Sequence, residues 1–579
     1  MVCKNLILCI FAGMKYWQLF LAFLFIPLNL FAQQILPLNE KAMHSPYVDS
    51  VFHRLSRKKR IAQLFIVPAY SNKSHRFQDS IGKLIKKYQP GGIIFFQGSP
   101  KKQLMLENCY QELLKTKSLI AMDGEWGLGM RLDSTISFPY QMSLGAIQDN
   151  MLISKMSSQI ALDFKRMGMQ INFAPDIDIN NNPDNSVINF RSFGEIRDNV
   201  AAKGLAYIQG LQGNGILATI KHFPGHGDTN IDSHLDLPVL PFSRMRLDSL
   251  ELYPFRKLIN SGAGAVMIAH MHVNSIDSAK GVPTTLSKIA VNGLLRSEMH
   301  FKGLIITDAM NMLGLAKYYT PAQAAVLALE AGNDMVEMSP DLPAALKAVR
   351  KAVRRKEILK SDIEYKCRKV LAYKEWAGLN NYVPGDTAKL LQDLNSNAAV
   401  ELLQKLSDSS LTVLKQSRAI MNSILTLKKT VLLELGVNGN TLFADSLRKQ
   451  LKIPVLRLTK SADQKAIDSI KVSLSKFDYA IIAIHDQRLR PGARLNFSKP
   501  LLDLTAELAG HAHNMLVFFT NAYVLGQVNN LGEAQNLVLT YQDSKPAELS
   551  AINYIMRRQK GCGKLPVSIG TLFHAGQGL

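Results

Sequence analysis

Eight short apolar runs alternate with helix-like stretches between residues 62 and 337, and this alternation constrains the fold more than any other feature. The runs are 62–67, 92–96, 119–122, 170–174, 216–220, 265–269, 304–307 and 334–337. Strands that alternate with amphipathic helices form a parallel sheet covered by those helices. Eight of them over about 280 residues match the size of a (β/α)8 barrel, so we predict that fold.

The pattern changes after the eighth run. Residues 376–386 contain Gly378, Asn380-Asn381 and Pro384-Gly385, and such a cluster of turn-forming residues is typical of a linker. Beyond them, further apolar runs separated by helical stretches predict a smaller α/β sandwich. The predicted organisation is therefore a TIM-like barrel over 33–375, the linker over 376–395 and the sandwich over 396–579.

Residues 1–32 have the pattern of a secretory signal peptide, because a lysine precedes an apolar run over 17–30 and a small residue, Ala32, ends the segment. Both Met1 and Met14 are candidate start positions. Cleavage near Ala32 predicts a periplasmic or secreted protein. No later segment offers about 18 uninterrupted apolar residues, so no membrane span is expected in the mature chain.

The composition argues against several classes of partner and cofactor. The formal net charge is +22, and removal of 1–32, which hold two lysines and no acid, leaves +20. The basic residues fall in short separate clusters typical of solvated surfaces, and no nucleic-acid motif accompanies them, so we predict no nucleic-acid partner. Cys109, Cys367 and Cys562 are too few and too widely spaced for a disulfide framework or a cysteine-rich metal site.

Polar residues directly follow five of the eight runs. Active sites of barrel enzymes lie at the carboxyl ends of the strands, where such residues converge. Any one of them could instead cap a helix or satisfy a buried backbone group. Their convergence from five strands favours an active site. The residues are Asp123 and Glu125, Asp176 and Asp178, Lys221 and His222, His270 and His272, and Asp308.

The densest polar segment, residues 221–234, reads Lys-His-Phe-Pro-Gly-His-Gly-Asp-Thr-Asn-Ile-Asp-Ser-His. Its histidines and aspartates could bind a metal, although their spacing fits no zinc motif and one loop would hold the ligands loosely. Alternatively, Asp232 hydrogen-bonds His234 and makes it a general acid/base. A purely structural loop is the third interpretation. The catalytic pair is favoured and the other two stay open.

Four segments together resemble family 3 glycoside hydrolases, in particular the two-domain β-N-acetylglucosaminidase branch. The segments are Lys-His-Phe-Pro-Gly-His-Gly-Asp-Thr followed by Asp-Ser-His within 221–234, Ala-Met-Asp-Gly-Glu at 121–125, Asn-Phe-Ala-Pro-Asp-Ile-Asp-Ile-Asn at 172–180 with Arg-Ser-Phe-Gly at 191–194, and Ile-Thr-Asp-Ala-Met-Asn at 306–311. The resemblance spans the whole predicted barrel.

The resemblance implies roles for individual residues. Asp308 would be the nucleophile, and His234, steadied by Asp232, the general acid/base. Retaining glycosidases need such a carboxylate and proton donor on the two sides of the scissile bond. No metal and no cofactor are implied. The residues implied to hold the terminal sugar are Asp123, Arg131, Arg191, Lys221, His222 and His270.

The function that the resemblance implies is retaining, exo-acting removal of terminal β-linked N-acetylglucosamine from cell-wall muropeptides or chitooligosaccharides, with a carbohydrate as the only expected partner. Peptidoglycan turnover is one expected setting. A β-glucosidase-like enzyme and a β-N-acetylglucosaminide phosphorylase are alternatives, as is a glycan-binding relic without activity. The natural aglycone and the oligomeric state stay open.

Overall fold

The computed structural model describes residues 40–229, 236–426 and 429–579. The predicted signal peptide, residues 1–32 with its cleavage site near Ala32, lies outside these residues. Within the described ranges, no helix is both long enough and apolar enough to cross a bilayer.

The first sheet is an eight-stranded, parallel, nearly closed barrel. Its strands are β1 (Phe65–Ala69), β2 (Gly92–Phe95), β3 (Leu119–Met122), β4 (Ile171–Asn172), β5 (Leu217–Phe223), β6 (Ala265–Ile268), β7 (Leu304–Thr307) and β8 (Val336–Glu337). The strands β1 to β7 lie side by side in this order, each paired with its neighbour, and β8 pairs with β1 on the other side. A bridge between Ile306 and Met335 joins β7 to β8. The predicted barrel is confirmed.

The first strand begins later than the apolar run predicts. Residues Arg57–Ala62 form a short helix whose last two side chains are buried in the core. The run 62–67 therefore combines a helix end with a strand start, since an apolar run does not distinguish a buried helix from a buried strand. Beside the barrel, Val239–Leu240 and His272–Val273 pair as two short parallel strands.

Helices cover the outside of the barrel. The helix Pro321–Ala331 shows how the sequence places them: the Thr320 hydroxyl accepts from the Gln323 backbone N–H, and the Gln323 side chain returns to Thr320, which is a capping box. The α-helices of this part are Pro46–Arg54, Arg57–Ala62, His75–Tyr88, Pro100–Glu112, Gln141–Ala146, Asn150–Arg166, Arg197–Gly213, Arg244–Ser249, Leu252–Asn260, Leu313–Ala316, Pro321–Ala331, Leu342–Arg354 and Lys360–Trp376, and Ile289–Glu298 is a π-helix.

A second, six-stranded sheet follows. Its strands are β9 (Thr412–Lys415), β10 (Thr430–Leu435), β11 (Val455–Leu458), β12 (Tyr479–His485), β13 (Asn514–Phe519) and β14 (Asn536–Leu539). The spatial order is β9-β14-β13-β12-β10-β11, and only β9 runs antiparallel to its neighbour. The α-helices of this part are Leu390–Leu394, Asn397–Ser410, Arg418–Leu425, Leu442–Leu451, Gln464–Leu474, Lys499–Ala509 and Lys545–Ile555.

Both faces of the second sheet are buried. Leu433 of β10 belongs to a hydrophobic cluster on one face, and the adjacent Leu432 belongs to a cluster on the other face. Successive strand residues point to opposite faces, so a strand buried on both sides needs a continuous apolar run. The predicted α/β sandwich is confirmed.

Direct contacts join the second sheet to the barrel mouth. The Tyr523 hydroxyl, beyond β13, donates to the Asn180 backbone carbonyl at 3.0 Å. The Gln542 side chain, beyond β14, accepts from the Tyr140 backbone N–H at 2.9 Å. Met142, on a barrel helix, packs into one core cluster of the second sheet. The carboxyl ends of the two sheets therefore face the same region.

Candidate active site

Lys221 joins two acids at the centre of the barrel mouth. It lies at the carboxyl end of β5, and its Nζ is 2.9 Å from Asp123 Oδ1 and 2.9 Å from Glu125 Oε1. Its side chain is only 2% exposed. Burial of an ammonium group is costly unless counter-charges surround it, and the two carboxylates supply them.

Two arginines complete this charge network. Arg131 Nη2 is 2.6 Å from Asp123 Oδ2. Arg191 contacts Glu125 through two nitrogens, at 2.7 Å from Nη2 to Oε1 and 3.0 Å from Nε to Oε2. Paired N–H donors fix the orientation of a guanidinium as well as its position. The network thus holds its polar groups in place before any ligand binds.

The two acids of the network are ionised. Burial opposes ionisation of Asp123, yet Lys221 and Arg131 hold the pKa of its carboxyl well below the usual range. Burial likewise opposes ionisation of Glu125, but Arg191 and Lys221 lower its pKa to about 2. At neutral pH Asp123 is therefore a hydrogen-bond acceptor only, which suits the recognition of a hydroxyl proton.

His222 lies between Arg191 and two further acids. Its Nδ1 is 2.7 Å from Asp178 Oδ2 and 3.6 Å from Asp176 Oδ2, and its Nε2 is 3.4 Å from Arg191 Nη2. Burial lowers the pKa of His222 to about 4 and raises the pKa of Asp178 to about 6. The imidazole is neutral at neutral pH, and the contact with Asp178 orients its ring.

Asp176, Asp178 and His222 offer donor atoms within 4.8 Å of one another, which is the arrangement of a metal site. However, the cationic guanidinium of Arg191 lies 3.7 Å from Asp176 Oδ2. Burial and the neighbouring Asp178 also raise the pKa of Asp176 well above its usual value. The predicted absence of metal and cofactor stays a prediction.

Asp308, the predicted nucleophile, directly follows β7 and is half-buried. Its backbone N–H donates to the Ile268 carbonyl at 2.9 Å, and its Oδ1 accepts from the Ala309 N–H at 2.7 Å. The position is thus set by the end of β6 and by the turn after β7. It shares an electrostatic environment with His222 and His226.

The remaining predicted residues fall into two groups. His270 is fully buried, with Nδ1 2.7 Å from Thr285 Oγ1 and Nε2 3.1 Å from the Ala309 carbonyl. These contacts place it behind the Asp308 turn, so its predicted contact with sugar stays a prediction. Asp232 and His234, the predicted acid/base pair, lie outside the described residues.

The structure also brings Glu125, Asp178 and Glu337 to the site, which the prediction of individual roles did not include. Each of them lies at or just beyond the end of a barrel strand. Strand-end position had already marked Glu125 and Asp178 as candidates, and the same signal could have found Glu337 at the end of the eighth run. Their roles depend on charge partners from distant strands, which sequence spacing does not reveal.

Comparison with known proteins identifies the family. The glycosyl hydrolase family 3 N terminal domain matches residues 56–373. The chain belongs to glycosyl hydrolase family 3. The match to this family includes all eight barrel strands and every described residue of the charge network, and it ends before the second sheet.

Two curated relatives are named as β-hexosaminidases. Beta-hexosaminidase A of Pseudoalteromonas piscicida is 34% identical over 281 residues, which are 45% of this chain and 47% of that protein. The alignment thus spans about half the length of that relative. Beta-hexosaminidase LpqI of Mycobacterium tuberculosis is 29% identical over 327 residues, which are 54% of this chain and 80% of that protein.

A solved structure extends the likeness beyond the family 3 N terminal domain. The glycoside hydrolase family 3 β-N-acetylglucosaminidase from Paenibacillus sp. str. FPU-7 aligns with a TM-score of 0.73 and 28% sequence identity. The alignment covers 89% of this chain and 99% of that chain. The order of barrel and second sheet is therefore shared with a two-domain member of the family.

Proposed function

We propose that this family 3 chain is a retaining, exo-acting β-N-acetylglucosaminidase. The observation that carries the proposal is the placement of Asp308 on the same barrel mouth as the buried network of Asp123, Lys221 and Arg191. Two β-hexosaminidase relatives and one β-N-acetylglucosaminidase structure support the choice of sugar.

Asp308 would attack the anomeric carbon and form a covalent glycosyl-enzyme. Retaining glycosidases use one carboxylate for this step, and water then releases the sugar with net retention. Ionised Asp123 would accept a hydrogen bond from a ring hydroxyl, and Arg131 and Arg191 would donate to sugar oxygens. The ion pairs of the network form without a bound sugar, so little reorganisation is needed during the reaction.

His234, with Asp232, would protonate the leaving oxygen and later deprotonate water. The assignment rests on the family resemblance of the Asp-Ser-His segment. A histidine has a reference pKa of about 6.5, which suits proton transfer near neutral pH. The described chain on either side of this segment is held by Asp228, which pairs with Arg246 at 3.2 Å, and by Asp236, which accepts from Tyr318 at 2.8 Å.

The signal-peptide pattern supports a periplasmic or secreted setting with cleavage near Ala32. In that setting, muropeptides and chitooligosaccharides are the substrate classes that carry a terminal β-linked N-acetylglucosamine. Comparing the N-terminal sequence of the exported protein with residue 33 tests the location, and retention of the full leader inside the cell would contradict it.

Release of nitrophenol from β-N-acetylglucosaminide and β-glucoside tests the activity. We expect cleavage of the acetamido sugar and near-complete loss in Asp308→Asn, because the amide cannot act as the nucleophile. A fluorinated glycoside should label Asp308, as shown by peptide mass spectrometry. Preference for the glucoside would reject the sugar assignment, and labelling of another residue would reject the nucleophile.

The acid/base assignment has a separate test. His234→Ala should slow the cleavage of poor leaving groups far more than that of good ones, because the lost step is protonation of the leaving oxygen. Kinetics with a series of substituted phenyl glycosides measures this dependence. Equal losses across the series would show that His234 has another role.

A further inference from the structure

Glu337 is a buried acid at the carboxyl end of β8 that the proposed mechanism does not use. The residue is 3% exposed, and its Oε2 has no hydrogen-bond partner within the described chain. A buried polar atom without a partner is costly, and such atoms in native proteins call for an explanation. A bound ligand would supply the missing partner.

The main chain of Glu337 is tied to both sides of the Asp308 turn. Its backbone N–H donates to Thr307 Oγ1 at 2.9 Å, and its carbonyl accepts from the Met310 N–H at 3.0 Å. Thr307 precedes Asp308 and Met310 follows it by two residues. The acid is therefore held beside the predicted nucleophile by hydrogen bonds to the adjacent strand.

The charges around Glu337 set its protonation state. Burial is the main influence, and the carboxylates of Asp123 and Asp308 add to it, so that the pKa of Glu337 lies well above its usual value. Lys221 and Arg131 oppose this shift without reversing it. The raised pKa favours the carboxylic acid form, which has one O–H donor as well as acceptor capacity.

We infer that Glu337 is a sugar-binding residue that donates a hydrogen bond to a ring hydroxyl which glucose and N-acetylglucosamine share. The inference rests on the proposed glycosidase function of this site. It assigns Glu337 to the terminal-sugar pocket together with Asp123.

A neutral hydroxyl is the ligand that this environment fits best. An anion at Glu337 would meet the carboxylates of Asp123 and Asp308, and a cation would meet Lys221 and Arg131. A hydroxyl can accept from protonated Glu337 while donating its own proton to ionised Asp123. Hydrogen-bond chains of this kind strengthen each other in a site of low dielectric.

Three substitutions test the assignment. Glu337→Leu removes the donor at similar volume, whereas Glu337→Gln keeps a neutral donor. Glu107→Leu is the matched control, because Glu107 is also fully buried, with both carboxyl oxygens unpartnered in the described chain, but it lies on the outer helix Pro100–Glu112. Circular dichroism and thermal unfolding establish that each variant folds.

The first readout is the affinity for N-acetylglucosamine, glucose and their 3-, 4- and 6-deoxy analogues by titration calorimetry, beside kcat/KM on the two nitrophenyl glycosides. Glu337→Leu should lose on the order of 10- to 100-fold in affinity and in kcat/KM, because it leaves a sugar hydroxyl without its donor. Glu337→Gln should recover most of that loss. Glu107→Leu should behave as the unsubstituted protein does.

The second readout identifies the hydroxyl. One deoxy analogue should bind the unsubstituted protein more weakly than its parent sugar, yet bind Glu337→Leu as well as that parent does. The affinity of the unsubstituted protein should also fall as rising pH ionises Glu337, and that of Glu337→Gln should fall less. The comparison of these two pH profiles, for the unsubstituted protein and for Glu337→Gln, tests the inference even if Glu337→Leu does not fold.

Unchanged affinity in folded Glu337→Leu, or equal losses in Glu337→Leu and Glu337→Gln, would overturn the inference. The inference would also be overturned if, for every hydroxyl tested, its removal from the sugar lowered the binding affinity of the unsubstituted protein and of Glu337→Leu by the same factor. Cleavage of the glucoside alone would reject the proposed function. The role of Glu337 would then be tested by the affinity of its variants for glucose and the deoxy analogues of glucose. If no sugar is bound or cleaved, both proposals fail.

Discussion

At the scale of single residues, Lys221 links the two ionised acids of the charge network. It is the cation that contacts both Asp123 and Glu125, at 2.9 Å in each case. A buried ion pair adds little net stability compared with an apolar pair, but removal of one partner leaves an uncompensated charge. Replacement of Lys221 should therefore affect folding and activity together.

Lys221→Met should lower the free energy of unfolding by roughly 3 kcal/mol and reduce kcat/KM by at least about 100-fold, because two buried carboxylates lose their shared counter-charge. Denaturant titration and nitrophenol release measure the two effects. The matched control is Lys203→Met, since Lys203 is also buried and donates to Asn150 Oδ1 at 2.6 Å, away from the barrel mouth. If Lys203→Met lost as much activity as Lys221→Met, the loss of stability alone would explain the loss of activity in both variants.

At the scale of elements, the helix Asn150–Arg166 contains a buried acid that is distant from the charge network. Burial raises the pKa of Asp163 to about 7, although the hydrogen bond that Gln159 Nε2 donates to its Oδ1 at 2.9 Å opposes the shift. Between about pH 4 and pH 7, the folded state therefore keeps a proton on Asp163 that the unfolded state has already released. The contribution of Asp163 to stability is present below that window and is lost as the pH rises through it.

Asp163→Asn should remove this pH dependence, because asparagine keeps the acceptor oxygen and cannot ionise. We expect the variant to be more stable than the unsubstituted protein at pH 8 by on the order of 3 kcal/mol, with little difference near pH 4. Urea titrations at several pH values measure it. Asp468→Asn is the control, since Gln464 donates to exposed Asp468 at 2.8 Å in the same spacing. Parallel pH profiles for the Asp163 variant and the unsubstituted protein would contradict the expectation.

At the scale of the whole molecule, residues of the chain that follows the barrel contact loops at the barrel mouth. The Asn180 amide donates to the Tyr523 hydroxyl at 2.9 Å, and Glu195 accepts from the Ser568 backbone N–H at 2.8 Å. The Glu195 backbone N–H donates to the Pro566 carbonyl at 3.1 Å. Residues of the site loops after β4 are thus held from outside the barrel.

At Gly194 the backbone of the barrel loop packs closely against the backbone of Pro566. The φ of Gly194 is +124°, and a Cβ there would lie 2.3 Å from the Pro566 carbonyl oxygen. Gly378 also has a positive φ, +78°, but a Cβ there would meet nothing within 4 Å. Gly378→Ala should cost about 1 kcal/mol through backbone strain alone. Gly194→Ala should cost on the order of 3 kcal/mol or more, because the clash adds to the strain.

Chemical denaturation of the two glycine variants measures the difference. The Gly194 variant should also lose activity, since the displaced loop carries Arg191. Equal destabilisation of the two variants would show that the contact with Pro566 adapts easily.

The local pattern of the chain was sufficient to predict the barrel and the sandwich, and it indicated where the candidate site lies. The periodicity of apolar runs reports burial directly, and the strand-end rule converts that periodicity into a list of converging polar residues. Asp123, Arg131, Arg191, Lys221 and His222 were named in this way or from the family resemblance, and the structure joins them in one network.

The sequence by itself thus determined the order of elements and the end of the barrel where the polar candidate residues are concentrated, because those depend on near neighbours in the chain. Only the tertiary structure decided that Glu125 shares Lys221 with Asp123, that burial raises the pKa of Glu337, and that β1 begins at Phe65. The physical reason is that burial and charge pairing depend on residues far apart in the chain, and their distances exist only once the barrel has closed.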